Sequence, residues 1–187
     1  MNTNELYLKT LFCCSACDGE IAPEEVSFVK QLSLNDSTFE GLDVEKILNA
    51  YVEKINEQGS IFLKDYLSEV ANATLSDEEQ VKLIEFAIRM IEADNKILYS
   101  EVRFFKKIRN RMSVSDESIL AKLPNSEDYL LPDILVEEKD FEEVGNFSKI
   151  SFTELLLSGK KRQNHIFSTN IISYTCFTKK GLSFEAM

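Results

Sequence analysis

Apolar side chains recur every three or four positions through most of the first 112 residues, which is the spacing of one face of an α-helix. The clearest stripe lies in residues 44–55 and stops before Gly59, a residue type that commonly ends helices. Residues 60–73 carry another stripe. The sequence Ser-Asp-Glu-Glu, which starts at Ser76, fits a capping box and predicts the start of a helix that runs to Ile91.

Two more helices are predicted on either side of an Asp-Gly break near the N-terminus. The first passes through Leu6 and Phe12 and stops at Asp18-Gly19. Pro23 suits the first position of the second helix, because the N–H group that proline lacks has no helical partner there.

The remaining helical signal follows Asn95. One helix extends to about Met112, and a weaker one fits residues 115–123. Together these patterns predict an all-α domain in residues 1–123, a bundle of about six to seven helices.

The pattern changes after Pro124. Residues 147–184 are rich in Phe, Ile, Ser and Thr and favour extended strands over helices. A small appended β-hairpin and a docked or poorly folded tail both fit this composition. Residues 124–187 are therefore predicted to form a C-terminal extension of unassigned role.

Two segments of the helical region repeat each other at a constant offset and without gaps. Each contains a short Asp-x-x-Ile corner that leads into a helix. The matched pairs are Asp18 with Asp94, Ile21 with Ile97, Glu25 with Glu101, Val26 with Val102, Phe28 with Phe104 and Lys30 with Lys106. The pattern indicates an internal duplication of a helix–corner–helix unit, and its two copies favour a closed bundle with pseudo-two-fold symmetry.

The two corner sequences, ACDGEIAPEEVSFV and EADNKILYSEVRFF, resemble the recurring signature of the tellurite-resistance TerB family and of TerB-like domains. The resemblance covers about residues 5–112. It departs from the family at Asn95, where the family has glycine, and asparagine is the next-best residue for a left-handed backbone. The resemblance implies an all-helical, cytoplasmic protein of stress responses, whose acidic corner residues bind metal cations.

Composition adds a strongly negative net charge, −11 over 187 residues. Such a charge disfavours nucleic acid and anionic membrane surfaces as partners, because both require a basic face. It favours cations or a basic surface on a partner protein. The charge is also uneven, since residues 146–187 hold six Lys/Arg against two Asp/Glu.

The predicted location is the cytoplasm. No apolar run approaches the ~18–20 residues of a membrane span. The first residues lack the basic segment and clean apolar stretch of a secretory signal. The four cysteines do not resemble a disulfide framework.

Four corner carboxylates form the candidate metal site: Asp18, Glu25, Asp94 and Glu101. If the fold brings both corners to one end of the bundle, these groups repel one another unless a cation lies among them. A hard divalent ion with oxygen ligands fits, namely Ca²⁺, Mg²⁺ or Mn²⁺, weakly bound and partly hydrated. The EF-hand loop is excluded, because counting Asp18 as position one puts Gly19 at two rather than six.

The same carboxylates have a purely structural interpretation. Glu25 would occupy the third position of a helix that starts at Pro23, and from there its side chain can reach back to the N-cap amide. Asp18 would accept a hydrogen bond from the amide two residues on. In this alternative the bundle is a scaffold for protein–protein interaction, and its acidic corners only cap helices.

Thiol redox chemistry is a weaker alternative. Cys14 and Cys17 form a C-x-x-C pair, but they close a helix that no strand precedes, so helix packing explains them better. A zinc site would need His165 and Cys176 from the distant tail. The basic cluster at residues 160–162 could dock on the acidic bundle or on an acidic partner, or form a solvated turn.

Motifs of the common enzyme classes are absent from the sequence, among them the P-loop, G-x-G-x-x-G, G-x-S-x-G and H-E-x-x-H. We therefore expect a non-enzymatic cytoplasmic module of a stress or tellurite/metal-response system. It would bind a divalent cation or a basic protein partner through an acidic pole.

Overall fold

The structure, a computed structural model, describes residues 2–132. The predicted extension beyond Pro132, with the basic cluster at 160–162, His165 and Cys176, lies outside the described residues. Within them the chain forms eight α-helices and one 3₁₀ turn, Ser37–Phe39. The helices are α1 (Thr3–Ala16), α2 (Pro23–Asn35), α3 (Val44–Gln58), α4 (Ser60–Asn72), α5 (Asp77–Ile91), α6 (Tyr99–Arg109), α7 (Asp116–Lys122) and α8 (Glu127–Leu130). The all-α prediction is confirmed for this part of the chain, and seven of these helices lie within residues 3–123.

The helix starts follow the local signals in the sequence. Pro23 is the first residue of α2, as predicted. At α5 the Ser76 hydroxyl accepts from the Glu79 amide at 3.3 Å, and the Ser76 amide donates to the Glu79 carboxylate at 2.9 Å. The predicted capping box is therefore confirmed.

The end of α6 lies three residues before the predicted one. The helix ends at Arg109, and the chain continues in tight turns with Arg111 N–H bonded to the Ile108 carbonyl at 3.0 Å. The Arg109 guanidinium donates to the carbonyls of Met112 and Val114, at 3.2 and 2.8 Å. These bonds satisfy carbonyls of the turn that follows the helix, and so stabilise that turn.

Helix α1 is the central element of the bundle. Every residue from Leu6 to Ala16 is buried. The helix packs against α3, α4, α5 and α6. Phe12 is fully buried, with ring centroids 5.6 Å from Tyr51 and 5.8 Å from Phe62. Apart from Lys9, the buried residues of α1 are apolar, aromatic or small, as expected for a helix that the fold surrounds.

Helices α1 and α5 run side by side in the same direction. Near their N-terminal ends the Tyr7 hydroxyl donates to the Glu79 carbonyl at 3.3 Å. The Tyr7 ring meets the Phe86 ring edge-on at 5.4 Å. Since each helix leads into one of the two acidic corners, the parallel pairing brings both corners to one end of the bundle.

Helix packing continues past residue 123, where the predicted domain boundary falls. The Tyr129 ring of α8 packs edge-on against Phe105 of α6 at 5.8 Å, and its hydroxyl donates to the Glu92 carboxylate at 3.0 Å. None of the described helices combines the length and the apolar composition needed to cross a membrane.

Candidate functional site

Two corners with the same backbone geometry form the candidate site. Corner 1, residues 17–22, joins α1 to α2, and corner 2, residues 92–98, joins α5 to α6. Each contains one residue with positive φ, Gly19 at 95° and Asn95 at 60°. Asparagine reaches this region more readily than other residues with a side chain, which explains why corner 2 forms without glycine.

The aspartates hold these turns as predicted. The Glu20 amide donates to Asp18 Oδ1 at 2.9 Å, and the Lys96 amide donates to Asp94 Oδ1 at 2.8 Å. Both are Asx-turns, in which a short carboxylate replaces the backbone acceptor.

The glutamates lie in the first turn of the helix after each corner and accept a hydrogen bond from the last amide of that corner. The Ala22 amide donates to Glu25 Oε2 at 2.6 Å, and the Leu98 amide donates to Glu101 Oε2 at 2.7 Å. Ala22 and Leu98 have no side-chain acceptor of their own. The predicted reach-back bonds are confirmed, and they place both glutamates in the interior, 4% and 6% exposed.

The four carboxylates interact electrostatically across the two corners. Glu25 is repelled by the carboxylates of Glu101, Asp18 and Asp94. Glu101 is repelled by Asp18 and Asp94 in turn. Charges that are far apart in solvent would be screened, so the repulsion felt by Glu25 and Glu101 fits corners that meet at one end of the bundle. We call this set of four carboxylates the acidic pole.

The two glutamates bind protons unusually tightly. Burial raises the pKa of Glu25 to about 8, against the opposing effect of the Ala22 N–H and with a further increase from Glu101. Burial likewise raises the pKa of Glu101 to about 7, opposed by the Leu98 N–H. Burial also raises the pKa of Asp18 from its ordinary value. The pole therefore disfavours negative charge that nothing offsets.

Sequence reasoning missed a lysine that lies beside the acidic pole. Lys96 lies in corner 2, and its charge lowers the pKa of both Asp18 and Glu101. A signal was present, because Lys96 of corner 2 aligns with Glu20 of corner 1. The replacement of glutamate by lysine at this position of the repeat puts a positive charge beside the acidic pole.

The C-x-x-C thiols lie beneath the pole. Cys14 is buried, and burial followed by the charges of Glu101 and Glu25 raises the pKa of its thiol. The Cys17 thiol donates to the Cys14 carbonyl at 3.1 Å, and burial raises its pKa well above the usual value. Both thiols are therefore held in the protonated form, which is the less reactive one.

The carboxylates do not form a preassembled coordination site. Among residues 2–132, no group of three or more His, Cys, Asp and Glu side chains is arranged to hold a metal ion. Each carboxylate accepts the corner amide through one oxygen, and Asp18 also accepts from its own backbone N–H. Ligation would therefore use the second oxygens, with water completing the coordination sphere of the ion.

Comparison of the chain with protein-family models, with curated proteins and with solved structures finds no match.

Proposed function

We propose that this chain is a non-enzymatic, TerB-like helical module of a stress or tellurite/metal-response system, built from a duplicated helix–corner–helix unit. Its acidic pole binds a hydrated divalent cation, Ca²⁺, Mg²⁺ or Mn²⁺. The observation that carries the proposal is that the parallel helices α1 and α5 lead into two acidic corners at one end of the bundle, where the carboxylates of Asp18 and Asp94 repel those of Glu25 and Glu101. A cation is the ligand that relieves such repulsion.

The chemistry of the donors supports an oxygen-loving ion. All four candidate ligands are carboxyl groups, whose oxygens hard cations prefer, whereas burial keeps the thiols beneath them protonated. Because Glu25 and Glu101 have raised pKa values, binding of the ion would release protons from them. Because the carboxylates are also engaged with backbone amides, the ion keeps part of its hydration shell, as Mg²⁺ does in many sites. Binding at millimolar concentration is expected.

The test is a titration of the chain with Ca²⁺, Mg²⁺, Mn²⁺ and Zn²⁺, followed by amide chemical shifts and by melting temperature, with shifts read for the diamagnetic ions. The expected response is localised to residues 17–25 and 92–101, and it disappears in the double variant Asp18→Asn/Asp94→Asn. The matched control is Glu53→Gln/Glu57→Gln on the exposed face of α3, which should keep the full response.

Two results would argue against the cation. An absence of any response up to millimolar metal would exclude it. A response that survives in Asp18→Asn/Asp94→Asn would place the ion elsewhere. If a lysine-rich peptide shifts the corner amides and the metals do not, the pole is instead a docking point for a basic protein partner.

The structural alternative is favoured by a specific observation. All four carboxylates accept hydrogen bonds from backbone amides of their own corners. If the carboxylates only cap helices, the chain is a scaffold for protein–protein interaction. Neutralising Asp18 or Asp94 then lowers the free energy of unfolding by ~0.5–2 kcal/mol per weakened cap-like bond, and metal ions do not change the stability of the chain.

The thiol redox alternative has the least support. A redox-active Cys-x-x-C pair requires a lowered thiol pKa, and burial raises the pKa of both Cys14 and Cys17. Rapid alkylation of either thiol in the native chain at neutral pH would revive that alternative.

A further inference from the structure

A groove follows one stripe of α5, away from the four carboxylates of the acidic pole. Two adjoining cavities, of about 510 and 240 Å³, share Glu85 of α5 and Lys122 of α7. The first begins at Asp77, and the second continues to Glu92. Together they follow α5 along its whole length, and we call them the α5 groove.

The α5 groove has an apolar floor and a negative rim. Val81 and Ile88 reach its floor, 9% and 7% exposed. Five carboxylates and three cationic side chains line it, so its net charge is negative. The carboxylates are those of Asp36, Asp77, Glu78, Glu85 and Glu92.

The last described helix, α8, contacts one end of this groove and also packs against α6. Ser126 lines the far end of the groove together with Glu92. Three residues later the Tyr129 hydroxyl donates to the Glu92 carboxylate at 3.0 Å, which fixes α8 at that position. The Leu131 carbonyl then accepts from Lys106 of α6 at 2.7 Å, so the chain after Pro132 starts at α6, three residues beyond the tyrosine that contacts the groove.

The following sequence has two parts of opposite charge. Residues 133–145 hold six Asp/Glu against one Lys and so do not match a negative groove. Residues 146–162 hold four Lys/Arg against one Glu, and they include Phe147, Ile150, Phe152 and Leu155–Leu157. This second part matches both the apolar floor and the negative rim.

The distances permit an intramolecular contact. Residues 133–145 span up to ~43 Å when extended, and the 15 residues of α5 rise ~22 Å. The connecting residues can therefore place residues 146–162 anywhere along the groove. A tether of this length gives an effective concentration of roughly millimolar, so weak contacts suffice.

We propose that residues 146–162 of the same chain dock in the α5 groove. Their apolar side chains cover Val81 and Ile88, and their basic end, residues 160–162, faces the carboxylates of the rim. The segment would thereby reduce the charge repulsion along α5 and cover the small apolar area that Val81 and Ile88 still expose.

Zero-length carbodiimide cross-linking of the full chain, read by peptide mass spectrometry, tests the docking. We expect amide links from Lys149, Lys160 and Lys161 to Glu78, Glu85 and Glu92. The exposed Glu53 and Glu57 of α3 serve as internal controls and should yield no such links. A mixture of isotopically labelled and unlabelled chains separates links within one chain from links between chains.

Three outcomes overturn the proposal. Links spread evenly over exposed carboxylates would mean that residues 146–162 have no preferred docking site. Links concentrated at Asp18, Glu25, Asp94 or Glu101 would place the segment at the acidic pole. Links between labelled and unlabelled chains would make the occupant a second copy.

The chain offers a matched pair of charge variants. In Lys160→Glu/Lys161→Glu the links from Lys149 to the groove should fall at least five-fold. In Lys179→Glu/Lys180→Glu, which changes the net charge equally, they should stay within two-fold of the unmodified chain. An equal fall in both variants would show that only total charge matters, and it would refute docking by residues 146–162.

This inference stands apart from the cation proposal. The variant Asp18→Asn/Asp94→Asn, which should lose the metal response, should keep the Lys149 links. Lys160→Glu/Lys161→Glu should keep the metal response at the corners. Either proposal can therefore fail while the other stands.

Discussion

Two opposing effects act on the protonation of Glu25 and Glu101. As helix caps they are most effective when ionised, because a charged acceptor strengthens the bond from the corner amide. As buried groups among other carboxylates they are more stable when protonated. Burial dominates, and it raises the pKa values to about 8 for Glu25 and about 7 for Glu101.

The first prediction concerns the pH dependence of stability. Both glutamates bind protons more tightly in the folded chain than in the unfolded chain, where the ordinary pKa is 4.5. Their protonation therefore stabilises the fold fully below about pH 4.5 and progressively less as pH rises through 7 and 8. We expect the melting temperature to fall more steeply from pH 5 to pH 8.5 in the unmodified chain than in Glu25→Gln/Glu101→Gln.

Glutamine is the appropriate control here, because its amide oxygen can still accept the corner N–H while it does not titrate. Equal pH profiles for the unmodified chain and the double variant would show that the two glutamates are not the groups responsible. Measurements in metal-free buffer keep this effect separate from cation binding.

Asn95 supports the second prediction at this scale. Its φ of 60° lies in the left-handed region, which costs a residue such as alanine roughly 1–2 kcal/mol. Asn95→Ala should therefore lower the free energy of unfolding by about 1 kcal/mol, and Asn95→Gly should leave it within about 0.5 kcal/mol. Urea denaturation measures both. Equal losses in the two variants would mean that the side chain rather than the backbone angle matters.

At the scale of elements, Gln80 joins the start of α5 to the turn between α6 and α7. Its Oε1 accepts from the amides of Ser113 and Val114, at 2.8 and 3.0 Å. Its Nε2 donates to the Leu75 carbonyl at 3.1 Å. One side chain thus satisfies backbone groups from two separate loops, and it is itself buried.

The third prediction follows from these bonds. Gln80→Met keeps the volume but leaves two amides without their acceptor, which should cost about 1–3 kcal/mol of unfolding free energy. The control Gln31→Met lies on the exposed side of α2 and should change stability by less than about 0.5 kcal/mol. Chemical denaturation distinguishes the two. A similar small effect at both positions would mean that water replaces the lost acceptor.

At the scale of the whole molecule, α1 connects the other helices. It packs against α3, α4, α5 and α6. Helix α1 also carries a partly buried ion pair. Lys9 is buried, and its ammonium donates to both carboxylate oxygens of Glu69 on α4, at 2.8 and 2.6 Å, while lying 4.9 Å from the Phe62 ring centroid. Apolar packing and this ion pair therefore both hold the neighbouring helices against α1.

The fourth prediction tests whether the bundle unfolds as one unit. Phe12→Ala removes a fully buried ring from α1 and should cost about 3–5 kcal/mol. Because α1 contacts most other helices, hydrogen-exchange protection should fall together in α3, α4, α5 and α6. The control Leu34→Ala changes a side chain that is 84% exposed and should have little effect. Loss of protection in a single helix would show that the bundle unfolds in parts.

Local signals predicted most of the helices of this bundle. The Pro23 start, the Ser76 capping box, the Asp18 and Asp94 turns and the Glu25 and Glu101 reach-back bonds each depend on residues at most three positions apart. Interactions of such short range are visible in sequence. The end of α6 is predicted less well, because the turn after it is held by Gln80 of α5, whose side chain accepts from the amides of Ser113 and Val114.

The sequence by itself determined where the helices lie, where two acidic corners interrupt them and which carboxylate holds each corner. Only the tertiary structure decided that α1 is surrounded, that Lys96 lies beside the acidic pole and that the corners meet. It also decided that α5 leaves a groove beside the end of α8. The physical reason is range: caps and turns form between neighbours, whereas burial and electrostatic repulsion depend on helices far apart in the chain.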